Sequence, residues 1–180
     1  MRSASNPQVS LRPQDLVVLL RLALERGPAP PYAALGAELG MTASEVHGAV
    51  DRAVMARLAL KDKAGKPSAL RTVLLLFVQH GARYCFPAVR GSLTRGVPTG
   101  YAAAPLKGLI SPGTDPVPVW PHKNGVARGV ALYPLYPSVP DAALRNPALY
   151  ELLVLFDAIR AGNVRERNLS VEMLERRLKE

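Results

Sequence analysis

The polar residues that are candidates for a functional site cluster in one short stretch, "SEVHGAVDR". On a helical wheel of about 100° per residue, one arc of this stretch carries Ser44, His47, Gly48, Asp51 and Arg52. Short polar side chains on one helix face can enter the major groove of B-DNA, which is about 12 Å wide, and hydrogen-bond to base edges. The same arc is also what the solvated outside of an ordinary helix looks like, so the surrounding elements must decide.

The elements around this stretch predict two helices joined by a tight turn. The opposite arc is small and apolar, with Val46, Ala49, Val50 and Ala53. Thr42 stands three residues before Glu45, which is the spacing of a capping box and predicts that a helix begins there. A second short helix is expected from Tyr32 to Leu39, with Gly40 in the turn between the two. A turn of three to four residues that contains glycine is typical of a helix-turn-helix.

Two further helices are predicted on either side of this pair. The first begins at Pro13, carries Asp15 in its first turn and is expected to stop at Gly27. Its apolar residues recur at helical spacing and require burial. The other is expected from about Ser68 to His80 and contains the run "VLLLFV".

Residues 14–60 resemble the winged helix-turn-helix transcription regulators of bacteria of the MarR and Lrp kind. The segment "YAALGAELGMTASEVHGAVDRAVMARL" follows their pattern "xxLAxxLGxSxxxVxxxVxxLxxxGL". The matching residues are Leu35, Gly36, Leu39, Gly40, Thr42, Val46, Val50, Ala53 and Leu58. The resemblance implies a recognition helix whose outward residues face bases, and a protein that binds DNA as a dimer.

A basic segment follows the helix pair, "LALKDKAGKPS" at 58–68. It begins like a strand and carries Lys61, Lys63 and Lys66, which suit phosphate contacts from a wing. Thr42 is a further candidate for phosphate contact. A solvated loop explains the lysines equally well, and no convincing second strand follows Gly65.

The charge balance points to an anionic partner. The chain has 180 residues and a formal net charge of +9. Residues 1–90 hold 12 Lys/Arg against 6 Asp/Glu, whereas the second half holds 11 against 8. The excess therefore lies with the helix-turn-helix, as expected of a nucleic-acid-binding region.

The second half predicts an accessory region of two parts. Ten of the 17 prolines lie within residues 84–140, so long regular elements are not expected there. Short strands are predicted in "RYCFPAV", "VPVW" and "GVARGVALYPL", with "KNG" at 123–125 as a hairpin turn. Two helices are predicted beyond residue 141, the second with Asn163 and Glu166 at capping-box spacing. The apolar stripes of the two helices could form a core or a dimer seam, and we favour dimerisation through this helical pair. The stripes are Leu149, Leu152, Leu153, Phe156 and Ile159 on the first helix and Val164, Val171, Leu174 and Leu178 on the second.

The predicted fold class is therefore α+β and mainly helical, with a winged helix-turn-helix, a proline-rich region of short strands and a C-terminal helical pair. The expected domains are 1–83 for DNA binding and 84–180 for dimerisation or for binding a partner or effector. The latter divides into strands and loops at 84–140 and helices at 141–180.

Other chemistry finds little support. The single cysteine, Cys85, excludes an internal disulfide framework, and its aromatic neighbours favour a buried thiol. The three histidines lie far apart, and no catalytic pair, triad or nucleotide fingerprint is recognisable. We expect no enzyme activity, no cofactor and no metal. The N-terminus lacks the apolar region of a signal peptide, and no apolar run is long enough to span a membrane. These observations favour a cytoplasmic protein.

The leading hypothesis is a sequence-specific regulator of transcription that binds double-stranded DNA, a repressor acting as a homodimer. The first alternative is a protein-interaction module, such as the antitoxin partner of a toxin, which can also repress its own operon. The second is an RNA-binding helix-turn-helix.

Overall fold

A computed structural model describes residues 8–111 and 116–179. Residues 1–7 and Pro112 lie outside the described residues. The first range belongs to the N-terminal segment in which no signal peptide is expected. The fold is α+β and mainly helical, as predicted. None of the described helices is both long and apolar enough to cross a lipid bilayer.

The first three helices have the predicted starts. They are α1 (Pro13–Ala23), α2 (Tyr32–Leu39) and α3 (Ala43–Met55). Helix α1 ends before the predicted stop at Gly27, because the guanidinium of Arg71 binds the carbonyl oxygens of Ala23 and Glu25 and replaces the next helical turn.

The turn between α2 and α3 is closed as predicted. Gly40 has φ 67°, in the left-handed region that glycine adopts without strain. The capping box is formed: Glu45 N donates to Thr42 Oγ1 at 3.1 Å, and Thr42 N donates to the Glu45 carboxylate at 2.7 Å. The inner residues of α3 are all at most 1% exposed: Val46, Ala49, Val50 and Ala53.

A hairpin follows α3, and here the sequence prediction was wrong. Strands β1 (Ala59–Lys61) and β2 (Pro67–Ala69) pair antiparallel, so a second strand does follow Gly65. The Asp62 carboxylate accepts backbone N–H bonds from Ala64 and Lys66, which builds the turn that no apolar alternation announces. Helix α4 (Arg71–His80) consequently begins three residues later than predicted.

The proline-rich region forms a small closed barrel. Helix α5 (Ala82–Cys85) stands where a strand was predicted in "RYCFPAV", and that prediction was wrong. Strand β3 (Arg90–Pro98) instead lies in a segment for which no strand was predicted. Strands β4 (Pro118–Pro121) and β5 (Ala127–Leu132) lie where strands were expected. Both pair antiparallel with β3 and therefore run parallel to each other, so the turn at 122–125 does not make the predicted hairpin.

Glycines explain why β3 has no apolar alternation. A Cβ at Gly96 would lie 2.1 Å from the Trp120 carbonyl oxygen, and one at Gly129 would lie 1.9 Å from that of Val117. The strands approach so closely that the inner positions hold glycine where a wider barrel would hold large apolar residues.

Three helices follow the barrel, and the second of them is the most buried. They are α6 (Val139–Arg145), α7 (Pro147–Ala161) and α8 (Val164–Lys179). The α7 stripe from Leu149 to Ile159 is at most 1% exposed within this one chain, so its five side chains leave no seam for a second copy. The prediction of a seam there was wrong because α1, α5 and α8 all pack against α7. The buried apolar cluster contains residues from both sides of residue 84, and the division into two domains stays a prediction.

Candidate nucleic-acid interface

The outer face of α3 is open at its N-terminal end. Ser44 is exposed, and the side chain of His47 is 55% exposed. The ring of Tyr32, at the start of α2, lies 5.3 Å from the imidazole between centroids and limits its movement. Gly48 is half-buried and adds no side chain to this face. The three residues leave a shallow polar surface that another molecule can approach.

Asp51 and Lys61 bind each other. The Lys61 ammonium in β1 lies 2.6 Å from the Asp51 carboxylate, and His47 Nδ1 lies 3.6 Å from the same carboxylate. The hydrogen bond from Lys61 lowers the pKa of Asp51 below its ordinary value, and the same bond raises the pKa of Lys61. Asp51 was predicted to face bases and Lys61 to contact phosphates. Their ion pair instead joins the hairpin to α3.

Arg52 turns away from the outer face and binds α1. Its Nε and one terminal nitrogen donate to the two oxygens of Asp15 at 2.8 and 2.6 Å. Asp15 is fully buried and also accepts the N–H of Arg12, at the start of α1. The Asp15 hydrogen bonds raise the pKa of Arg52. The guanidinium is thus committed to holding α3 against α1.

The tip of the hairpin carries two cations that remain available. Lys63 and Lys66 are exposed, and neither has an ion-pair partner among the described residues. Thr42, the remaining phosphate candidate, is exposed, but its hydroxyl both accepts from Glu45 N and donates to the Glu45 carboxylate. The structure thus brings Ser44, His47 and the lysine-tipped hairpin to one side of α3.

Residues from the second half of the chain contact the same end of α3, and no sequence pattern predicted these contacts. The Tyr136 hydroxyl donates to the Glu45 carboxylate at 3.2 Å, and the Ser138 hydroxyl donates to the Leu39 carbonyl at 2.5 Å. Bonds from Thr42 and Tyr136 lower the pKa of Glu45, and burial raises the pKa of Tyr136. The contacts join residues about a hundred positions apart, which no local pattern can announce.

A second cluster of ionisable groups is structural. Asp157 on α7 is 2% exposed, and its carboxylate accepts from Thr99, Trp120 and Arg160. Arg160 also donates to the Tyr133 carbonyl. No buried side-chain nitrogen or oxygen of the described residues lacks a partner, so this cluster offers a substrate no free group.

Other candidates for chemistry are few. The described residues contain no group of three His, Cys, Asp or Glu side chains that could hold a metal. Cys85 is exposed, contrary to the predicted burial, because α5 turns it outward where a strand would have packed it inward.

Comparison with known proteins yields no assignment. No protein-family model, no curated protein and no solved structure matches the chain. The resemblance of residues 14–60 to bacterial regulators therefore stays a prediction.

Proposed function

We propose that this chain is a sequence-specific regulator of transcription that binds duplex DNA, with α2 and α3 as a helix-turn-helix and β1–β2 as its wing. The ion pair between Asp51 and Lys61 carries the proposal, because it fixes the lysine-tipped hairpin beside the open face of α3. A groove-reading helix flanked by such a hairpin combines base contacts with phosphate contacts.

The candidate site residues have two proposed roles: some contact DNA, and others hold the contacting elements in place. Ser44 and His47 hydrogen-bond to base edges, and Gly48 lets the helix approach closely. Lys63 and Lys66 contact phosphates, which adds affinity for any sequence. Arg52 acts as a support, because its guanidinium is already bound to Asp15.

The first experiment is selection of genomic fragments by the purified full chain at near-physiological salt. The expected result is an enriched palindromic site, because two half-sites mirror the symmetry of a dimer. Fluorescence anisotropy then compares the enriched duplex with a scrambled one. We expect His47→Ala to weaken binding to the enriched duplex alone, by roughly 1–3 kcal/mol.

The wing is tested separately. The double variant Lys63→Ala/Lys66→Ala is expected to weaken binding to both duplexes and to reduce the slope of log K against log salt by about 2. The matched control removes two exposed lysines elsewhere, with Lys107→Ala/Lys179→Ala. No enrichment, together with equal effects of the wing and control variants, would contradict the proposal.

The repressor is proposed to act as a homodimer in the cytoplasm. The α7 stripe is not available, but α4 presents an uncharged outer face formed by Thr72, Val73, Leu76, Gln79 and His80. In a chain of net charge +9, an uncharged face is where two copies can approach with least repulsion. Light scattering of the purified chain tests this, and a monomer at all concentrations would refute it.

A protein-interaction module, such as an antitoxin, is the second candidate. Exposed apolar side chains favour it, since Leu76 is 52% and Tyr84 76% exposed. A single stoichiometric protein partner, with no salt-dependent shift of DNA, would favour this candidate over the regulator.

A further inference from the structure

The outer face of the barrel holds two arginines in direct opposition. Arg95 on β3 and Arg128 on β5 are partners in the antiparallel register. Their neighbours Gly96 and Gly129 are buried, and a Cβ at either would meet the backbone of another segment, whereas alternation along each strand leaves the arginines on the opposite face. Both arginines are exposed.

This opposition is unfavourable for the isolated chain. Like charges directly opposite each other in an antiparallel pair destabilise a sheet. Within the described residues neither guanidinium has an ion-pair partner; Arg95 Nε donates to the Gly125 carbonyl at 2.7 Å, and Arg128 makes no side-chain hydrogen bond. An anion between the two arginines would relieve the repulsion.

The surface around the arginines is a groove without acidic or aromatic side chains. It encloses about 530 Å³. The lining residues are Leu93, Thr94, Arg95, Val126, Ala127 and Arg128. Leu93 is 55% and Val126 86% exposed, so aliphatic surface flanks the charges. Arginine forks suit phosphate oxygens, whereas binding of a single strand relies on aromatic rings on which the bases stack.

The chain that leaves the barrel contacts the helix pair. The segment that follows β5 carries Tyr136 and Ser138, which bind Glu45 and the Leu39 carbonyl at the turn between α2 and α3. A short segment of chain thus connects the barrel to the helices that the proposed function places on DNA.

We propose that the β3–β5 face, defined by Leu93, Arg95, Val126 and Arg128, is a second binding surface for the phosphate backbone of duplex DNA. It rests on the proposed function for the choice of duplex DNA as the partner. It contacts backbone outside the sequence read by α3 and contributes affinity without sequence preference.

The test is anisotropy of the full chain with enriched and scrambled duplexes over a range of salt. Arg95→Gln/Arg128→Gln is expected to lower affinity for both duplexes and to reduce the salt slope by about 2. The matched control is Arg165→Gln/Arg176→Gln on α8, which should leave the slope unchanged. The Tm is compared for Arg128→Gln alone, which removes one of the opposed like charges but no hydrogen bond, and it should stay the same or rise.

A single variant protects the test against misfolding. Arg128→Gln removes one charge without removing a hydrogen bond and is expected to reduce the slope by about 1. Wild-type slopes for both variants would overturn the proposal. A loss confined to single-stranded DNA, or confined to polyglutamate, would overturn it in favour of that ligand.

The two proposals fail separately. If the wild-type chain shows no sequence preference but the arginine variants still lose slope on duplex DNA, the regulator proposal fails and the β3–β5 face stands. If His47→Ala abolishes sequence preference and the arginine variants behave as wild type, the reverse holds.

Discussion

Arg52 shows how one contact changes the role of a residue. On the helical wheel it belongs to the outer arc of α3, but it binds Asp15, which is 37 positions earlier and fully buried. Wheel geometry is confirmed for the inner arc, since Val46 and Val50 are fully buried. It could not foresee Arg52, because a long side chain at the edge of an arc reaches whichever partner the neighbouring helix supplies.

Arg52→Ala is expected to destabilise the fold by about 3 kcal/mol, because it leaves the buried Asp15 carboxylate without its counter-charge. Urea unfolding measures the change. The comparison variant is Lys61→Ala, which breaks the partly exposed pair with Asp51 and should cost less than about 1 kcal/mol. Equal losses for the two variants would show that burial does not distinguish the pairs.

Glu45 predicts a dependence of stability on pH. Its pKa is lowered in the folded state by the bonds from Thr42 and Tyr136. A lowered folded pKa stabilises the fold above the unfolded pKa of about 4.3, and that contribution is lost as the pH falls through the folded value. The urea midpoint of the wild type should therefore fall below about pH 4.3 more steeply than that of Glu45→Gln, which keeps a capping side chain but cannot titrate. If the urea midpoints of the wild type and of Glu45→Gln depend on pH in the same way, Glu45 does not contribute to this effect.

At the scale of elements, the helices were predictable and the barrel was only partly so. Caps and apolar stripes gave the starts of α1, α2 and α3, because both signals are local. Strand β3 escaped detection because its inner positions include Gly96, so the period-2 apolar signal is missing. The second strand of the hairpin escaped because it is three residues long and begins with Pro67.

Gly129→Ala tests the closeness of the barrel strands. The added methyl would lie 1.9 Å from the Val117 carbonyl oxygen, so the strands must separate. We expect a loss of roughly 3 kcal/mol or more, measured by thermal unfolding. Gly27→Ala is the control, since nothing lies within 4 Å of the added Cβ. A wild-type Tm for Gly129→Ala would show that the strands are farther apart than described.

For the whole molecule, the Asp157 cluster joins the barrel to the helical core. Its bonds reach Thr99 and Trp120 from the barrel region and Arg160 on α7. No local sequence pattern indicates this cluster, because Asp157 lies 37 positions from Trp120 and 58 positions from Thr99. Each of these residues taken alone looks like an ordinary position in a helix, strand or loop.

The chain contains one tryptophan, so its fluorescence reports on β4 while far-UV circular dichroism reports on the helices. In the wild type the two unfolding curves should coincide. Asp157→Asn leaves the buried Arg160 charge unbalanced, and we expect a loss of about 3 kcal/mol with fluorescence changing before the helical signal.

The control for the cluster is Glu175→Gln, which breaks an exposed pair with Lys179 on α8 and should leave both curves in place. Coincident curves for Asp157→Asn would mean that the barrel and the helices unfold together even without the cluster.

Asp15 binds two partners, and this limits the substitutions that its position can accept. Its carboxylate accepts hydrogen bonds from the Arg52 guanidinium and from the N–H of Arg12. A homologue that loses Arg52 would therefore keep a buried carboxylate without a counter-charge. We therefore expect a substitution of Arg52 to be accompanied by one of Asp15, and glutamine or asparagine to replace Asp15 more readily than leucine, because the N–H of Arg12 still requires an acceptor.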